Sequence, residues 1–88
     1  MGYDFNKLRE QLELQEWPNV YFFKFIVPNS SEMIAKVTAL FSDASDLSYH
    51  ESKTGKFVSV SAKEVMLDVD SIIAVYEKAS EIEGVISL

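Results

Sequence analysis

Apolar residues recur at helical spacing near the start of the chain. Phe5, Leu8 and Leu12 are three and four positions apart, with charged and amide residues between them. This spacing predicts a short amphipathic helix over residues 4–16. Helices of this length are marginal on their own in water, so this one needs a surface on which to dock. Pro18 follows its end, as expected because the residue before a proline avoids the helical region.

The next apolar run predicts a central β-strand. Residues 20–27 are almost all apolar and rich in aromatic and β-branched side chains, which is typical of a strand buried within a sheet. Lys24 sets the register, because its side chain must reach solvent and alternate residues share a face. The face of Lys24 therefore also carries Val20, Phe22 and Ile26. The opposite face supplies the core, with Tyr21, Phe23, Phe25 and Val27.

Turn and cap residues divide the middle of the chain. Asn29 or Ser30 can cap a helix that runs to about Asp43. A weakly alternating segment, residues 47–52, predicts an exposed edge strand. Gly55 then supplies the positive φ angle of a short hairpin turn at Lys53-Thr54-Gly55.

The last third of the chain repeats the same order. Residues 57–66 form a second long strand, and Asp68 or Asp70 caps a second helix. Gly84 is placed as the C′ glycine at the end of that helix. Residues 85–88 complete the pattern as a short final strand.

The resulting order, a helix followed by β-α-β-β-α-β, predicts the architecture. Right-handed crossovers convert it into one four-stranded antiparallel sheet of order 4-1-3-2 with two helices on one face. This is an α+β fold of the ferredoxin-like, split βαβ kind. Residues 1–16 are predicted to be an N-terminal helical extension, and residues 17–88 the ferredoxin-like domain.

Three segments of the sequence also carry a resemblance to a known family. They are Trp17-Pro18 before Phe23-Lys24-Phe25, the hairpin from Ser52 to Val60, and Tyr76-Glu77 before Ile82-Glu83-Gly84-Val85-Ile86. Together they resemble the small bacterial YbeD-like domains of unknown function, over roughly Trp17 to Leu88.

The resemblance implies a ferredoxin-like domain similar in structure to ACT-type regulatory domains, which bind small molecules. It also suggests a link to lipoate metabolism. Many ACT domains carry a Gly-Leu pair after the first strand, whereas this chain has Pro28-Asn29-Ser30-Ser31 there. That difference argues against amino-acid binding of the ACT kind at this position.

Composition restricts the classes of function. The chain has 88 residues, which is the size of one domain, and it has no cysteine, which excludes disulfides, thiolate metal sites and cysteine nucleophiles. Its net charge of −6 opposes binding to a phosphate backbone, so nucleic acid is disfavoured. The N-terminus lacks a signal-peptide pattern, and no apolar run has the ~20 residues of a membrane span. We therefore expect a cytoplasmic protein that does not contact the membrane.

No set of residues has the spacing of a catalytic or metal site. Lys53-Thr54-Gly55 matches an element of β-lactamases, but the chain has no Ser-x-x-Lys to supply the nucleophile. His50 is the only histidine and lies on the predicted edge strand. Capping explains Asp68 and Asp70 without a metal. We expect a non-enzymatic protein with no metal and no cofactor.

The predicted outer face of the sheet is the candidate interaction surface. Phe57 falls on the same face as Phe22 and Ile26, and Lys53 and Lys56 lie at the tip of the adjoining hairpin. Large apolar side chains on an open sheet face need a cover. We expect a binding or regulatory module that acts through a protein partner or a small ligand at these residues.

Three alternatives for this surface stay open. The N-terminal helix could cover it, or two copies could pair through it as a homodimer. The third alternative is weak binding of single-stranded RNA, because the RNA-recognition motif shares this topology and stacks bases on sheet aromatics. Phe57 and Phe22 would be the two stacking platforms.

Overall fold

The predicted sheet and helix order is present in the structure. The computed structural model describes residues 5–42 and 45–87. Within them lie three helices and a four-stranded antiparallel sheet of order β2-β3-β1-β4, which is the predicted order and is consistent with a ferredoxin-like arrangement. The elements are α1 (Asn6–Glu13), β1 (Asn19–Pro28), α2 (Ser31–Thr38), β2 (Asp46–Glu51), β3 (Phe57–Met66), α3 (Val69–Ser80) and β4 (Ile86–Ser87).

The central pair of strands divides the molecule into two faces. β1 and β3 pair along their whole ten-residue lengths, from Asn19 opposite Met66 to Pro28 opposite Phe57. Residues directly opposite in an antiparallel pair point to the same side, so the register assigns each side chain to a face. The inner face carries the core side chains of both strands, namely Phe23, Phe25, Val27, Val58, Val60 and Ala62, as predicted for β1.

Helices α2 and α3 cover the inner face. Val37 of α2 is fully buried, and α3 contributes Ile72, Ile73, Tyr76 and Ala79 to the same core. The rings of Phe23 and Tyr76 have centroids 5.5 Å apart, so α3 packs against the core side of β1. Apolar burial of this kind is the main stabilising contribution in so small a domain.

Helix α1 packs beside α3 rather than on the outer face of the sheet. Leu12 enters the core with only 2% of its surface exposed, and the rings of Phe5 and Tyr76 lie 6.4 Å apart. The Trp17 indole Nε1 donates a hydrogen bond to the Leu12 carbonyl at 2.8 Å, which ties the end of α1 to the start of β1. The alternative in which this helix covers Phe22, Ile26 and Phe57 is therefore wrong. The apolar side chains of Phe5, Leu8 and Leu12 pack against the core on the helical side of the sheet.

Several element ends differ from the sequence expectations. Helix α2 ends at Thr38 rather than near Asp43, which lies outside the described residues, and Phe41 still reaches the core from the following turn. Ser30 occupies the N-cap of α2 without a side-chain cap bond. Asp68, in contrast, caps α3 as predicted, and its carboxylate accepts from the Ser71 backbone N–H at 2.8 Å.

The remaining differences are at Asn29 and Gly84. Asn29 does not cap α2, because its side chain donates to the Gly55 carbonyl at 2.8 Å and to the Glu51 carboxylate at 3.2 Å. Gly84 has a φ angle of +88°, but α3 ends at Ser80, so this glycine turns the chain into β4 rather than ending the helix.

The β2–β3 hairpin closes as a tight turn. The Ser52 N–H donates to the Phe57 carbonyl at 2.9 Å, and the Gly55 N–H donates to the Ser52 carbonyl at 2.9 Å. Gly55 has a φ angle of +72°, as the sequence predicted. A Cβ at this position would also lie 2.9 Å from the Glu51 carboxylate, so both conformation and space favour glycine. The bonds from Asn29 fasten this hairpin to the loop after β1.

We expect α1 to be an integral part of the folded domain. Leu12→Ala should lower the free energy of unfolding by about 2–4 kcal/mol, because it removes a buried side chain and leaves a cavity. Leu14→Ala is the matched control: this leucine is 86% exposed, so its loss should cost about 0.5 kcal/mol or less. Urea denaturation of both variants measures the difference. Equal and small losses would show that α1 is detached from the core.

The junction of α1, α3 and β1 contains a pair of phenols, of which Tyr76 is buried and Tyr21 partly buried. The Tyr21 and Tyr76 hydroxyls are 3.0 Å apart. Burial raises the pKa of Tyr76 above the ordinary tyrosine value, and the hydrogen bond with Tyr21 raises this pKa further. Because the folded state favours the neutral phenol, its contribution to stability is complete below the unfolded pKa of about 10 and is lost as the pH rises above it.

We therefore expect the difference in free energy of unfolding between the native chain and Tyr76→Phe to change with pH in the alkaline range. Below the ordinary tyrosine pKa of about 10 the native chain should be the more stable, since the variant loses the hydrogen bond to Tyr21. Above that pH the advantage should shrink, because only the native chain must keep Tyr76 protonated. Urea midpoints across this pH range measure it. A difference that is constant with pH would contradict the assignment.

Candidate interaction surface on the open sheet face

The side of the sheet opposite the helices forms a continuous surface, here called the outer face. The pairing registers of all four strands define its members. Strands β1 and β3 contribute five positions each, and the shorter strands add the rest. They are Val20, Phe22, Lys24, Ile26 and Pro28 from β1; Phe57, Ser59, Ser61, Lys63 and Val65 from β3; Asp46, Ser48 and His50 from β2; and Ile86 from β4.

Three apolar side chains lie together at one end of the outer face. Val20 stands directly opposite Val65, and Phe22 lies two positions along β1 from Val20. All three are exposed, and Phe22 has 69% of its surface accessible. We call Val20, Phe22 and Val65 the first apolar cluster.

A second group of three lies towards the other end. Ile26 stands opposite Ile86 of β4, and Phe57 is its diagonal neighbour on β3, within reach of an aromatic side chain. Phe57 is 45% exposed, while Ile26 is partly buried between its neighbours. We call Ile26, Phe57 and Ile86 the second apolar cluster.

A polar, basic strip separates the two clusters. It contains Lys24, Lys63 and Ser61, and it borders a shallow depression of about 400 Å³ that also contacts Ser48 and Asp46. The Lys63 ammonium lies 5.8 Å from the centre of the Phe22 ring, a distance that favours a cation–π contact. Asp46 stands opposite Lys63 in the register, yet among the described residues neither lysine forms an ion pair. Both ammonium groups are available to a carboxylate from outside.

The structure brings together only part of the residues predicted from sequence. Ile26 and Phe57 belong to the second apolar cluster, and Lys53 and Lys56, which are exposed on the hairpin, adjoin it. Phe22 does not adjoin them, because it pairs with Lys63, six positions along β3 from Phe57. At the usual rise per residue this is a separation of ~20 Å. Phe22 and Phe57 cannot stack neighbouring bases as a pair.

The sequence analysis does not name three members of the clusters, Val20, Val65 and Ile86, as site residues. It places Val20 on this face but not in the site. Val65 continues the alternation that places Phe57, and extending that alternation by one more step would have found it. Ile86 could not be placed from its own segment, because its position opposite Ile26 depends on the pairing of β4 with β1.

The structure places the candidate reactive residues of the sequence in separate elements. His50 is an exposed side chain on the outer face, opposite Ser59. No group of three or more His, Asp or Glu residues in residues 5–42 and 45–87 has a geometry that could hold a metal ion. Lys53-Thr54-Gly55 serves as the hairpin turn.

Comparison with known families gives a match over most of the chain. The family model described as "Protein of unknown function (DUF493)" matches residues 12–88. The chain belongs to this DUF493 family. The matched span begins at Leu12, where α1 enters the core, and includes every residue of the outer face. Searches of curated proteins and of solved structures found no match.

Within the described residues, none of the helices combines the length and the apolar character that crossing a membrane requires.

We expect Phe22 to contribute little to the stability of the isolated domain. Phe22→Ala should change the free energy of unfolding by about 0.5 kcal/mol or less, since its ring is mostly in water. Phe23→Ala is the matched control at the adjacent position: that ring is 1% exposed, and its removal should cost about 3–5 kcal/mol. Urea denaturation compares them. A large loss for Phe22→Ala would show that Phe22 is a structural residue and not an available contact.

Proposed function

We propose that this DUF493 domain is a non-enzymatic binding module whose outer face is covered by a protein partner. The observation that supports the proposal is the exposure of both apolar clusters on one uncovered sheet face, five of whose six members are large exposed apolar residues. Burial of such side chains contributes ~25 cal/mol per Å² of apolar surface removed from water. Grouped apolar residues on an otherwise polar surface mark interaction sites.

A protein partner fits this surface better than a small ligand. Ligand sites are usually concave and bury 70–90% of the ligand or more. The depression beside Lys24 is open, and of the two apolar clusters it borders only the first, through Phe22. A small molecule there would leave Phe57 and Ile86 in water, whereas a protein surface can reach both clusters at once.

RNA is less favoured than protein on the same grounds. The aromatic rings of Phe22 and Phe57 lie at different ends of the outer face, and four aliphatic side chains complete the clusters. Aliphatic side chains do not stack bases as aromatic platforms do. The net charge of −6 also opposes the approach of a phosphate backbone.

The resemblance to YbeD-like domains and to ACT-type regulatory domains supports the same general role. The ACT-type likeness points to a small domain that regulates by binding rather than by catalysis. We accordingly place this domain in the cytoplasm as a regulatory module whose partner is a protein.

Site-specific photo-crosslinking in the native cell tests this proposal. Benzoylphenylalanine at Phe22 or at Phe57 should give discrete protein adducts, because both positions would lie inside the interface. The matched control carries the same probe at Glu77, an exposed position on α3 on the opposite side of the molecule. Identical adduct patterns at all three positions, or no adduct at the two phenylalanine positions, would overturn the proposal.

A further inference from the structure

We infer that the partner presents an acidic amphipathic helix to the outer face. This inference rests on the proposed function and adds the chemistry of the partner to it. Three observations support it: the distribution of charge over the molecule, the orientation of the sheet hydrogen bonds in the plane of the sheet, and the spacing of the two apolar clusters.

Charge is distributed unevenly over the domain. Among the described residues of the outer face, two lysines, Lys24 and Lys63, face a single carboxylate, Asp46, and at the hairpin Lys53 and Lys56 adjoin Glu51. The helices are nearly neutral, because five carboxylates (Glu10, Glu13, Glu32, Asp70 and Glu77) stand against four cations (Lys7, Arg9, Lys36 and Lys78). The net charge of the whole chain is nevertheless −6. The outer face therefore carries a local excess of positive charge on an acidic protein, and it complements an acidic partner.

The lysines of the basic strip are free to make that contact. In the described part of the chain, ion pairs join Arg9 to Asp70 at 2.7 Å and Lys36 to Glu32 at 3.3 Å, both on the helical side. Lys24 and Lys63 form no such pair. A carboxylate brought between two apolar clusters would be partly removed from water. Its attraction to an ammonium group would then be stronger than at an open surface.

The geometry of the face selects a helix over an extended strand. A strand laid flat on the face would leave its backbone N–H and C=O groups without partners, because sheet hydrogen bonds lie in the plane of the sheet. A helix satisfies its own backbone groups and presents side chains outward. An extended peptide could pair only at the edges of this sheet, away from Phe22 and Phe57.

The spacing of the clusters sets the pattern of the partner helix. Phe22 and Ile26 are four residues apart on β1, or ~13 Å. A helix covers that distance in about nine residues. Two apolar positions separated by two to three turns would each meet a cluster, and acidic residues in the turns between them would meet Lys24 and Lys63.

A second copy of this chain does not fit as the occupant. Two outer faces placed against each other would bring the lysines of both copies together, without carboxylates other than Asp46 to compensate. The helices of another copy are nearly neutral and offer no matching excess of carboxylates. A contact with them would also be heterologous and would extend into a filament rather than close. The observations therefore favour a different protein.

Selection from a displayed library of helical peptides tests the inference. The peptides have about 20 residues, a length of ~30 Å as a helix, and carry an apolar stripe with randomised flanking positions. The native chain should select peptides that are enriched in Glu and Asp beside the stripe. Phe22→Ser serves as the negative bait, and peptides that it also selects are discarded.

The affinity of a selected peptide then reports the role of the basic strip. The double variant K24E/K63E should weaken binding by about tenfold or more, which is ~1.4 kcal/mol. The control K7E/K78E changes two exposed lysines on α1 and α3 by the same charge and should leave the affinity within about twofold. Circular dichroism establishes that all variants are folded.

The possible outcomes separate the two proposals. Selected peptides without an acidic bias, or an unchanged affinity for K24E/K63E, would overturn the acidic helix while leaving the outer face as a protein-binding surface. No selection beyond the Phe22→Ser bait would overturn the helix as occupant, and the photo-crosslinking result then decides the binding function separately. Titration with a fluorescent oligouridylate tests the RNA alternative. If the oligonucleotide binds, if Phe57→Ala abolishes that binding and if no peptide is selected, the outer face is an RNA-binding surface.

Discussion

The full-length antiparallel pairing of β1 with β3 is the constraint on which the rest of the molecule depends. Ten residues of each strand are held opposite one another, so a single register decides which side chains enter the core and which face outward. A shift of one residue would move Phe23 and Phe25 to the surface and Phe22 and Lys24 into the core. The cost of burying Lys24 and exposing two large rings excludes that shift. Core and interaction surface are therefore two consequences of one pairing.

The aromatic inner face of β1 also explains the position of α1. Beside Phe23 and Phe25, which α2 and α3 cover, β1 places Tyr21 at the margin of the core, where its hydroxyl meets that of Tyr76. Phe5 and Trp17 close this margin from the side, with ring contacts to Tyr76 and Tyr21 respectively. The apolar residues of α1 are engaged in this packing and cannot also cover the sheet. Because nothing in the described chain is then left to cover the sheet, the outer face stays open.

The extent to which sequence predicts this structure follows from the range of each interaction. Alternation around Lys24 and the positive φ at Gly55 are local, and both were predicted. The docking of α1 was not, since Phe5, Leu8 and Leu12 fit any apolar surface and only the folded domain shows which surface is free. Asn29 is similar: its spacing suits a helix cap, but the nearby hairpin offers its side chain two acceptors. The separation of Phe22 from Phe57 needs the register of two strands, whereas alternation supplies only the face.

The basic strip has a consequence for the behaviour of the free domain. An open sheet face with two apolar clusters is prone to pair with another of its kind, and proteins limit this by placing charged side chains on such surfaces. Lys24 and Lys63 lie between the clusters, where they would meet their own copies in a face-to-face dimer centred on the basic strip. The same two ammonium groups attract a carboxylate from a different protein. One pair of lysines thus disfavours self-association and favours an acidic partner, and the selectivity of the face depends on their position between the apolar residues rather than on the net charge of the chain.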